Sequence, residues 1–294
     1  MIQPGTGHQA KFPLFLLLAG SVCISFSPVF IKLAAMPPDS AGVYRMLFAG
    51  ISLYVLMRLR GENLRMEKLP RLLLGLAGVF LAVDFMCWHR SIALVGPGLS
   101  TLLGNFQVFF TALFSWLFLK QRISRLFALA VLIALCGLFL ITGFDWETIA
   151  GHYKLGIFLG LLTAIFYSGY ILLVKGALND KAVQGVPAML VVAVPSTLLL
   201  TAIAPLNGES LVIPNTGSLL ALLGAGVIST TIGWSLISSA IKRIQATVAG
   251  LVLLLQPTLS LVWDTLFFGR PTGLLDLIGI LLILTAIFIG SLRS

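Results

Sequence analysis

Long apolar runs alternate with short polar connections along the whole chain. A helix needs about 20 mostly apolar residues to cross a hydrocarbon core of about 30 Å, and each run has roughly that length. The pattern therefore predicts an all-α integral membrane protein with ten transmembrane helices and no inserted soluble domain. The predicted spans are residues 12–34, 40–59, 72–94, 97–119, 126–143, 155–175, 186–205, 217–241, 247–268 and 273–292.

The two halves of this pattern repeat. A shift of 149 residues places Gln107 on Gln256, and a shift of 143 residues places Lys32 on Lys175. Each half holds five predicted spans, an odd number, so the halves must enter the membrane in opposite orientations. Such inverted repeats are typical of secondary transporters, whose substrate site lies near the midplane between the halves. The predicted repeats cover residues 12–143 and 155–292.

Composition supports a membrane protein and argues against other classes. Hydrophobic residues make up 59% of the chain and charged residues 10%, whereas soluble domains carry about 25% charged residues. The net charge of +9 comes from Lys and Arg in the short connections, with no basic stripe among aromatic residues, so we expect no nucleic-acid partner. The three cysteines lie within apolar runs and lack metal-ligand spacing, which indicates neither a disulfide nor a metal site.

The distribution of positive charge predicts the orientation in the membrane. With a cytoplasmic N-terminus, 14 of the 19 Lys and Arg residues lie on the cytoplasmic side, as in other inner-membrane proteins. We therefore expect a multi-pass protein of the cell inner membrane with both termini in the cytoplasm. The first apolar run is longer than the core of a signal peptide, which has about 7–15 residues, so it is predicted as the first span. The positive residues on the outer side are Lys32, Arg45, Arg90, Lys154 and Arg270.

Asp84 is the first candidate for a functional side chain, because it lies inside the third predicted span. A charge at that depth costs about 2.5 to 3.5 kcal/mol on insertion scales and faces a partner or a wet cavity. Trp88 is four residues further on and shares its helix face, so we expect both side chains to face the cavity. Asp84 would then contact a substrate amine or carry a proton. The alternative is a structural ion pair with Arg45.

Gln107 and Gln256 are predicted near the midplane, one in each repeat. An amide offers two donors and an acceptor, which suits a zwitterionic ligand, although an interhelical hydrogen bond is the simpler alternative. Pro257 follows Gln256 and predicts a kink beside the site or a tolerated bend. Aromatic side chains at the same depth could form cavity walls or only pack. The predicted substrate-binding set is Asp84, Trp88, Gln107, Tyr170, Trp234 and Gln256.

Charged residues near the helix ends have two interpretations. Lys32 and Lys175 either extend to the lipid headgroups or form a pair of gate charges, one on each side. His89 lies about 140° around the helix from Asp84, so we expect it to turn toward a neighbouring helix or the outer vestibule. Asp264 lies near an outer helix end and is expected to be solvated. The predicted gating or charge-pair residues are Lys32, Arg45, His89 and Lys175.

Signatures of other machinery are absent from the sequence. It contains no Walker-type phosphate loop and no His-Glu-x-x-His motif, and its serines lack a base in a defined order. We therefore expect no ATP, no cofactor, no metal and no enzymatic activity. A channel or lipid facilitator, and an intramembrane enzyme, are the competing classes.

Three segments carry a family resemblance: SFSPVFIK at 25–32, VYRMLFA at 43–49, and IGWSL at 232–236 followed by AIKR at 240–243. In this order they resemble the ten-helix EamA-type transporters of the drug/metabolite transporter superfamily, most of all the YddG-type amino-acid exporters. Gln121 and Arg270 depart from the Leu-x-Glu helix endings of that family, and Val108 replaces its usual mid-helix proline.

The resemblance implies a secondary transporter that works by alternating access. It implies export of small metabolites, first of all amino acids, including aromatic or other apolar ones. Nucleosides, drugs or other metabolites are the alternative substrates. Helices one, three, four, six, eight and nine would line the cavity, and the protein would act as a monomer in the lipid bilayer.

Overall fold

The computed structural model describes residues 11–120, 125–142, 150–180, 182–241, 249 and 252–291. In that part of the chain the regular structure is helical, as predicted. The helices are α1 (Lys11–Ser25 and Ser27–Leu33), α2 (Pro38–Leu59), α3 (Lys68–Val95), α4 (Pro97–Gly104 and Gln107–Leu119), α5 (Arg125–Thr142), α6 (Gly151–Leu178), α7 (Gly185–Leu206), α8 (Thr216–Leu223, Gly224–Gly233 and Trp234–Ile241), α9 (Leu255–Phe268) and α10 (Leu274–Ser291).

The helices agree with the predicted spans except at their ends. Seven helices in the described ranges are long and apolar enough to cross a membrane, and α5 and α10 are shorter apolar helices. Where both ends are described, the largest differences are at α3 and α6, which begin at Lys68 and Gly151 rather than at residues 72 and 155. Polar residues continue the first turn of each helix, so an apolar pattern places these starts too late. The predicted start of the ninth span, at residue 247, lies outside the described residues.

The pairing of the helices shows the inverted repeat. Helices α2, α4 and α5 each pack against their own counterpart in the other half, namely α7, α9 and α10. Helix α3 packs against α6, and its counterpart α8 packs against α1. A two-fold axis between the halves relates the contact of α3 with α6 to the contact of α8 with α1. The fold is therefore an all-α membrane protein of two inverted five-helix repeats.

Glycines on facing helices allow the halves to approach closely. A Cβ on Gly137 of α5 would lie 2.6 Å from the Gly279 carbonyl, and one on Gly279 would lie 2.5 Å from the Gly137 carbonyl. A Cβ on Gly78 of α3 would lie less than 3 Å from the backbone of α7. A Cβ on Gly226 of α8 would lie less than 3 Å from the backbone of α2. Small residues give this kind of backbone contact in membranes, where packing drives helix association.

Several helices are interrupted at the same depth. Helix α4 breaks at residues 105–106, and α9 has a turn at Leu254, which is 149 residues after Asn105. In α9 the cause is Pro257, which has no N–H for the carbonyl of Leu253. The corresponding Val108 keeps its N–H but donates it to Asn105 at 3.3 Å, a shorter-range bond than an α-helix makes. The interruption of α4 therefore forms without a proline.

Candidate functional site

A central cavity lies between the repeats, at the level of these interruptions. Its volume is about 130 Å³, and α1, α2, α3, α4, α6, α7, α8 and α9 all contribute side chains. Helices α2 and α7 were not predicted to line it. The structure places the whole predicted substrate-binding set around this one cavity: Asp84, Trp88, Gln107, Tyr170, Trp234 and Gln256.

Two opposite charges lie in the cavity wall. The exposed fraction of Asp84 on α3 is 4%, and that of Arg45 on α2 is 5%. One carboxylate oxygen of Asp84, Oδ1, and one guanidinium nitrogen of Arg45, Nη1, have no hydrogen-bond partner among the described residues. Buried polar groups are almost always hydrogen-bonded, so an unpartnered pair beside a cavity indicates ligand contacts.

Arg45 is held by other groups instead of by Asp84. Its Nε donates to the Thr230 hydroxyl at 3.1 Å, and its guanidinium lies 4.2 Å from the ring centre of Phe85 and 5.2 Å from that of Trp88. No ion pair joins Arg45 to Asp84 among those of the described residues. In this structure Thr230 and the aromatic rings, rather than Asp84, contact the guanidinium.

Aromatic and amide groups complete the wall. Tyr167 and Tyr170 stack with ring centres 5.4 Å apart on α6, and Trp234 begins the last segment of α8. Gln107 accepts a hydrogen bond from Thr111 through its amide oxygen, so its amide nitrogen is the group free to donate. The cavity can thus surround an apolar body and bind polar ends.

Serine hydroxyls hold the backbone at the interrupted helices. The Ser168 hydroxyl of α6 donates to the backbone carbonyl of Gln107 at 2.9 Å. On the other side of the cavity, Ser260 of α9 donates to the carbonyl of Ser25 at 3.1 Å. The first bond fixes the backbone that carries the Gln107 side chain, and the second fixes the backbone at the break of α1.

Comparison with known proteins agrees with this architecture. The model of the EamA-like transporter family matches the chain twice, at residues 11–143 and 154–292. The chain belongs to the EamA-like transporter family. This assignment makes the protein a multi-pass membrane transporter.

Relatives of this EamA-like protein include transporters of two bacteria. It is 27% identical to the pseudopaline exporter CntI of Pseudomonas aeruginosa over 86% of each chain. It is 26% identical to the uncharacterized inner membrane transporter YhbE of Escherichia coli over 93% of this chain and 88% of the relative. One solved crystal structure has a TM-score of 0.66 at 18% identity, over 95% of this chain and 96% of that one, which shows the fold alone.

The EamA-like cavity is closed on the face where Lys32 ends α1. Asp264 of α9 accepts from the Gly98 N–H at the start of α4 at 3.0 Å and lies 3.8 Å from Lys32 and 3.7 Å from Arg270. Its exposed fraction is 2%, so the expectation that Asp264 is solvated is wrong. Asp264 is buried because Gly96, with a φ of 87°, turns the chain toward it. The turn places the positive N-terminal end of the α4 helix dipole against the carboxylate.

Lys32 takes part in a contact that joins two helices on this face. Its ammonium lies 4.1 Å from the ring centre of Phe268 and contacts Asp264, which joins α1 to α9 on this face. At the break of α1, Trp263 stacks on Phe26 at 4.6 Å and donates to the Ser25 hydroxyl. These contacts close the Lys32 face above the cavity.

The central cavity continues toward the opposite face, where Lys175 lies. A second cavity of about 340 Å³ shares Tyr170 and Trp234 with the central cavity and extends along α6 to Asn179. Lys175 is exposed beside it and takes part in no ion pair of the described residues. In this state, Lys32 contacts a carboxylate and Lys175 contacts none among the described residues.

His89 turns away from the cavity, toward α2. Its Nδ1 lies 2.9 Å from the Pro38 carbonyl, and its ring stacks on Phe85 at 5.3 Å. Nearby, Arg90 pairs with both oxygens of Asp39, and Glu209 accepts from the Asp39 and Ser40 N–H groups at 2.8 and 2.9 Å. This cluster joins α2, α3 and the end of α7 on the Lys32 face.

Sequence reasoning missed two residues that shape the site. Phe85 is one residue after Asp84 and three before Trp88, so the helical face that suggested Trp88 also contains it. Thr230 has no such signal, since a lone threonine in an apolar run is common. Its position follows from a ten-residue π-helix, Gly224–Gly233, which the apolar pattern does not reveal.

Proposed function

We propose that this EamA-like protein exports zwitterionic small metabolites, first of all amino acids with aromatic or other apolar side chains, across the inner membrane. The observation that carries the proposal is the pair of buried, mutually unpaired charges in one cavity wall. Asp84 would bind the substrate ammonium and Arg45 the substrate carboxylate. Charge-assisted hydrogen bonds of this kind are about twice as strong as neutral ones.

The rest of the cavity fits such a substrate. Phe85, Trp88, Tyr167, Tyr170 and Trp234 offer apolar surface to a side chain, and tryptophan and tyrosine pack well against aromatic rings. The amides of Gln107 and Gln256 lie in the same wall and can bind the polar end from either repeat. An apolar cation or an apolar anion alone would leave one buried charge unpaired, which is costly.

Alternating access follows from the inverted repeat. The state described is closed at the Asp264 contacts and opens along Tyr170 and Trp234. The two-fold relation between the halves implies a second state in which α4, α6 and α9 close the Lys175 face. With both termini in the cytoplasm, the described state is the one that loads substrate from the cell.

The topology can be tested at two matched glycines. Gly151 begins α6 and Gly185 begins α7, both are exposed, and a Cβ at either meets no atom within 4 Å. In a background without Cys23, Cys87 and Cys136, we expect Gly151→Cys to react with an impermeant thiol reagent on intact cells. We expect Gly185→Cys to react only after lysis. The reverse pattern would overturn the cytoplasmic placement of the termini.

The proposed substrate class is tested by uptake of radiolabelled L-phenylalanine into proteoliposomes that contain the purified protein. We expect saturable uptake that unlabelled L-phenylalanine inhibits. Phenethylamine lacks the carboxylate and 3-phenylpropionate lacks the ammonium, so each should inhibit about tenfold or more weakly, because each loses one charged contact of about 1.5 to 3 kcal/mol. Equal inhibition by all three compounds, or uptake that does not saturate, would contradict the proposal and favour a channel.

A second candidate substrate comes from the relative in Pseudomonas aeruginosa. The similarity to the pseudopaline exporter CntI extends over 86% of each chain. Pseudopaline is therefore the second compound to test in the same liposomes. Strong inhibition by pseudopaline together with none by any of the twenty amino acids would replace the first proposal by the second.

A further inference from the structure

Arg45 and Asp84 carry opposite charges in one cavity wall, yet no ion pair joins them among the described residues. In a buried site the attraction between a guanidinium and a carboxylate is much stronger than in water. The long arginine side chain has several rotatable bonds, and both groups keep an unpartnered polar atom. A restraint must therefore hold one of them, and the contacts identify Arg45 as the restrained group.

Thr230 provides the polar part of that restraint. Its hydroxyl donates to the carbonyl of Ala225 at 2.8 Å, five residues earlier, which a π-helix permits. Because the hydroxyl proton is used there, its lone pairs face α2 and accept from the Arg45 Nε. Leu81 lies 149 residues before Thr230 in the other repeat, so the first repeat has no hydroxyl at this point.

Aromatic rings provide the other part. The guanidinium lies over Phe85, and Phe85 is stacked on His89 with ring planes 14° apart. His89 is in turn held by the Pro38 carbonyl at the start of α2. The Arg45 head group is thus held between the α8 hydroxyl and a buttressed ring of α3.

We infer that Thr230 is a positioning residue, which holds the Arg45 guanidinium off Asp84 so that both charges remain free for the two ends of one zwitterion. The inference rests on the proposed function. Without the Thr230 hydroxyl, Arg45 swings onto Asp84, and each end of the substrate must then compete with an internal ion pair.

The test is a four-member cycle that uses 3-phenylpropionate, the half-ligand that needs Arg45 but not Asp84. Its affinity is measured by competition with radiolabelled L-phenylalanine or by calorimetry, in the parent protein, Thr230→Val, Asp84→Asn and the double variant. We expect Thr230→Val to weaken binding about tenfold when Asp84 is present. We expect less than a twofold effect in the Asp84→Asn background, because no carboxylate remains to capture Arg45.

Two further variants separate positioning from packing. Thr230→Ser retains the hydroxyl and should bind within twofold of the parent. Thr231→Val is the matched control, because Thr231 lies in the same π-helix but contacts Ser52 at 2.6 Å rather than Arg45. This variant should bind 3-phenylpropionate with the affinity of the parent. If Thr230→Val does not fold, Thr230→Ala removes the same hydroxyl with a smaller side chain and should show the same dependence on Asp84.

The outcomes distinguish this inference from the proposed function. The same loss on Thr230→Val in both backgrounds, or no loss in either, would overturn the positioning role. Arg45→Gln should abolish 3-phenylpropionate binding. Two results would show that Arg45 does not bind the substrate carboxylate and would overturn the inference with the proposed function. One is unchanged 3-phenylpropionate binding by Arg45→Gln, and the other is no binding of 3-phenylpropionate by the parent.

Discussion

Replacing Asp84 with asparagine is expected to lower the affinity for L-phenylalanine about 10- to 100-fold while the protein remains folded. Asparagine keeps the shape of the side chain and removes the charge that would meet the substrate ammonium. A hydrogen bond to a charged group is worth about 1.5 to 3 kcal/mol, and about 1.4 kcal/mol corresponds to a factor of ten. The measurement is the concentration of L-phenylalanine that gives half-maximal uptake into proteoliposomes.

Asp276→Asn is the matched control for this change. Asp276 belongs to the same protein face as Asp264, but its carboxylate accepts from the Gly273 N–H and caps its own helix. We expect Asp276→Asn to reach half-maximal uptake at the same L-phenylalanine concentration as the parent. A parent-like affinity for Asp84→Asn, in a sample with the parent's elution volume and melting temperature, would show that Asp84 makes no ammonium contact.

Replacing Asp264 with asparagine is expected to open the Lys32 face. The change removes the charge that attracts Lys32 and Arg270 and weakens the contact with the start of α4. Two conformations of a transporter differ by only a few kcal/mol, so a loss of about 1.4 kcal/mol shifts their ratio about tenfold. The closed state should therefore become less populated.

Accessibility of Thr101 measures this shift. Thr101 lies on the first segment of α4 and lines the central cavity. In a cysteine-free background, Thr101→Cys should react slowly with an impermeant thiol reagent added outside intact cells, and about tenfold faster when Asp264→Asn is also present. Asp276→Asn should leave the rate unchanged. An unchanged rate for Asp264→Asn would mean that these contacts do not control closure.

Much of the fold could be predicted because the membrane imposes a simple length rule. Apolar runs of about 20 residues predict the spans, and their odd number in each half predicts the inversion. The i, i+4 spacing of Asp84 and Trp88 places them on one face, and the repeat places Gln107 opposite Gln256. These features depend on helix geometry and on offsets along the chain, both of which can be read from the sequence.

Other parts of the site depend on contacts between distant residues. The bond between Arg45 and Thr230 joins positions 185 residues apart, through a π-helix that the apolar pattern does not reveal. Asp264 looked solvated because it is near a helix end, yet the turn at Gly96 brings the start of α4 over it. The break in α4 occurs without a proline. Local composition does not predict these arrangements.

In the proposed mechanism, Asp84 binds the ammonium and Arg45 binds the carboxylate of one zwitterion. The most direct test is the affinity of L-phenylalanine relative to its two half-ligands, measured by calorimetry on Asp84→Asn and Arg45→Gln. Asp84→Asn should bind L-phenylalanine no better than 3-phenylpropionate, and Arg45→Gln should bind it no better than phenethylamine. Parent-like preferences in both variants would contradict the account.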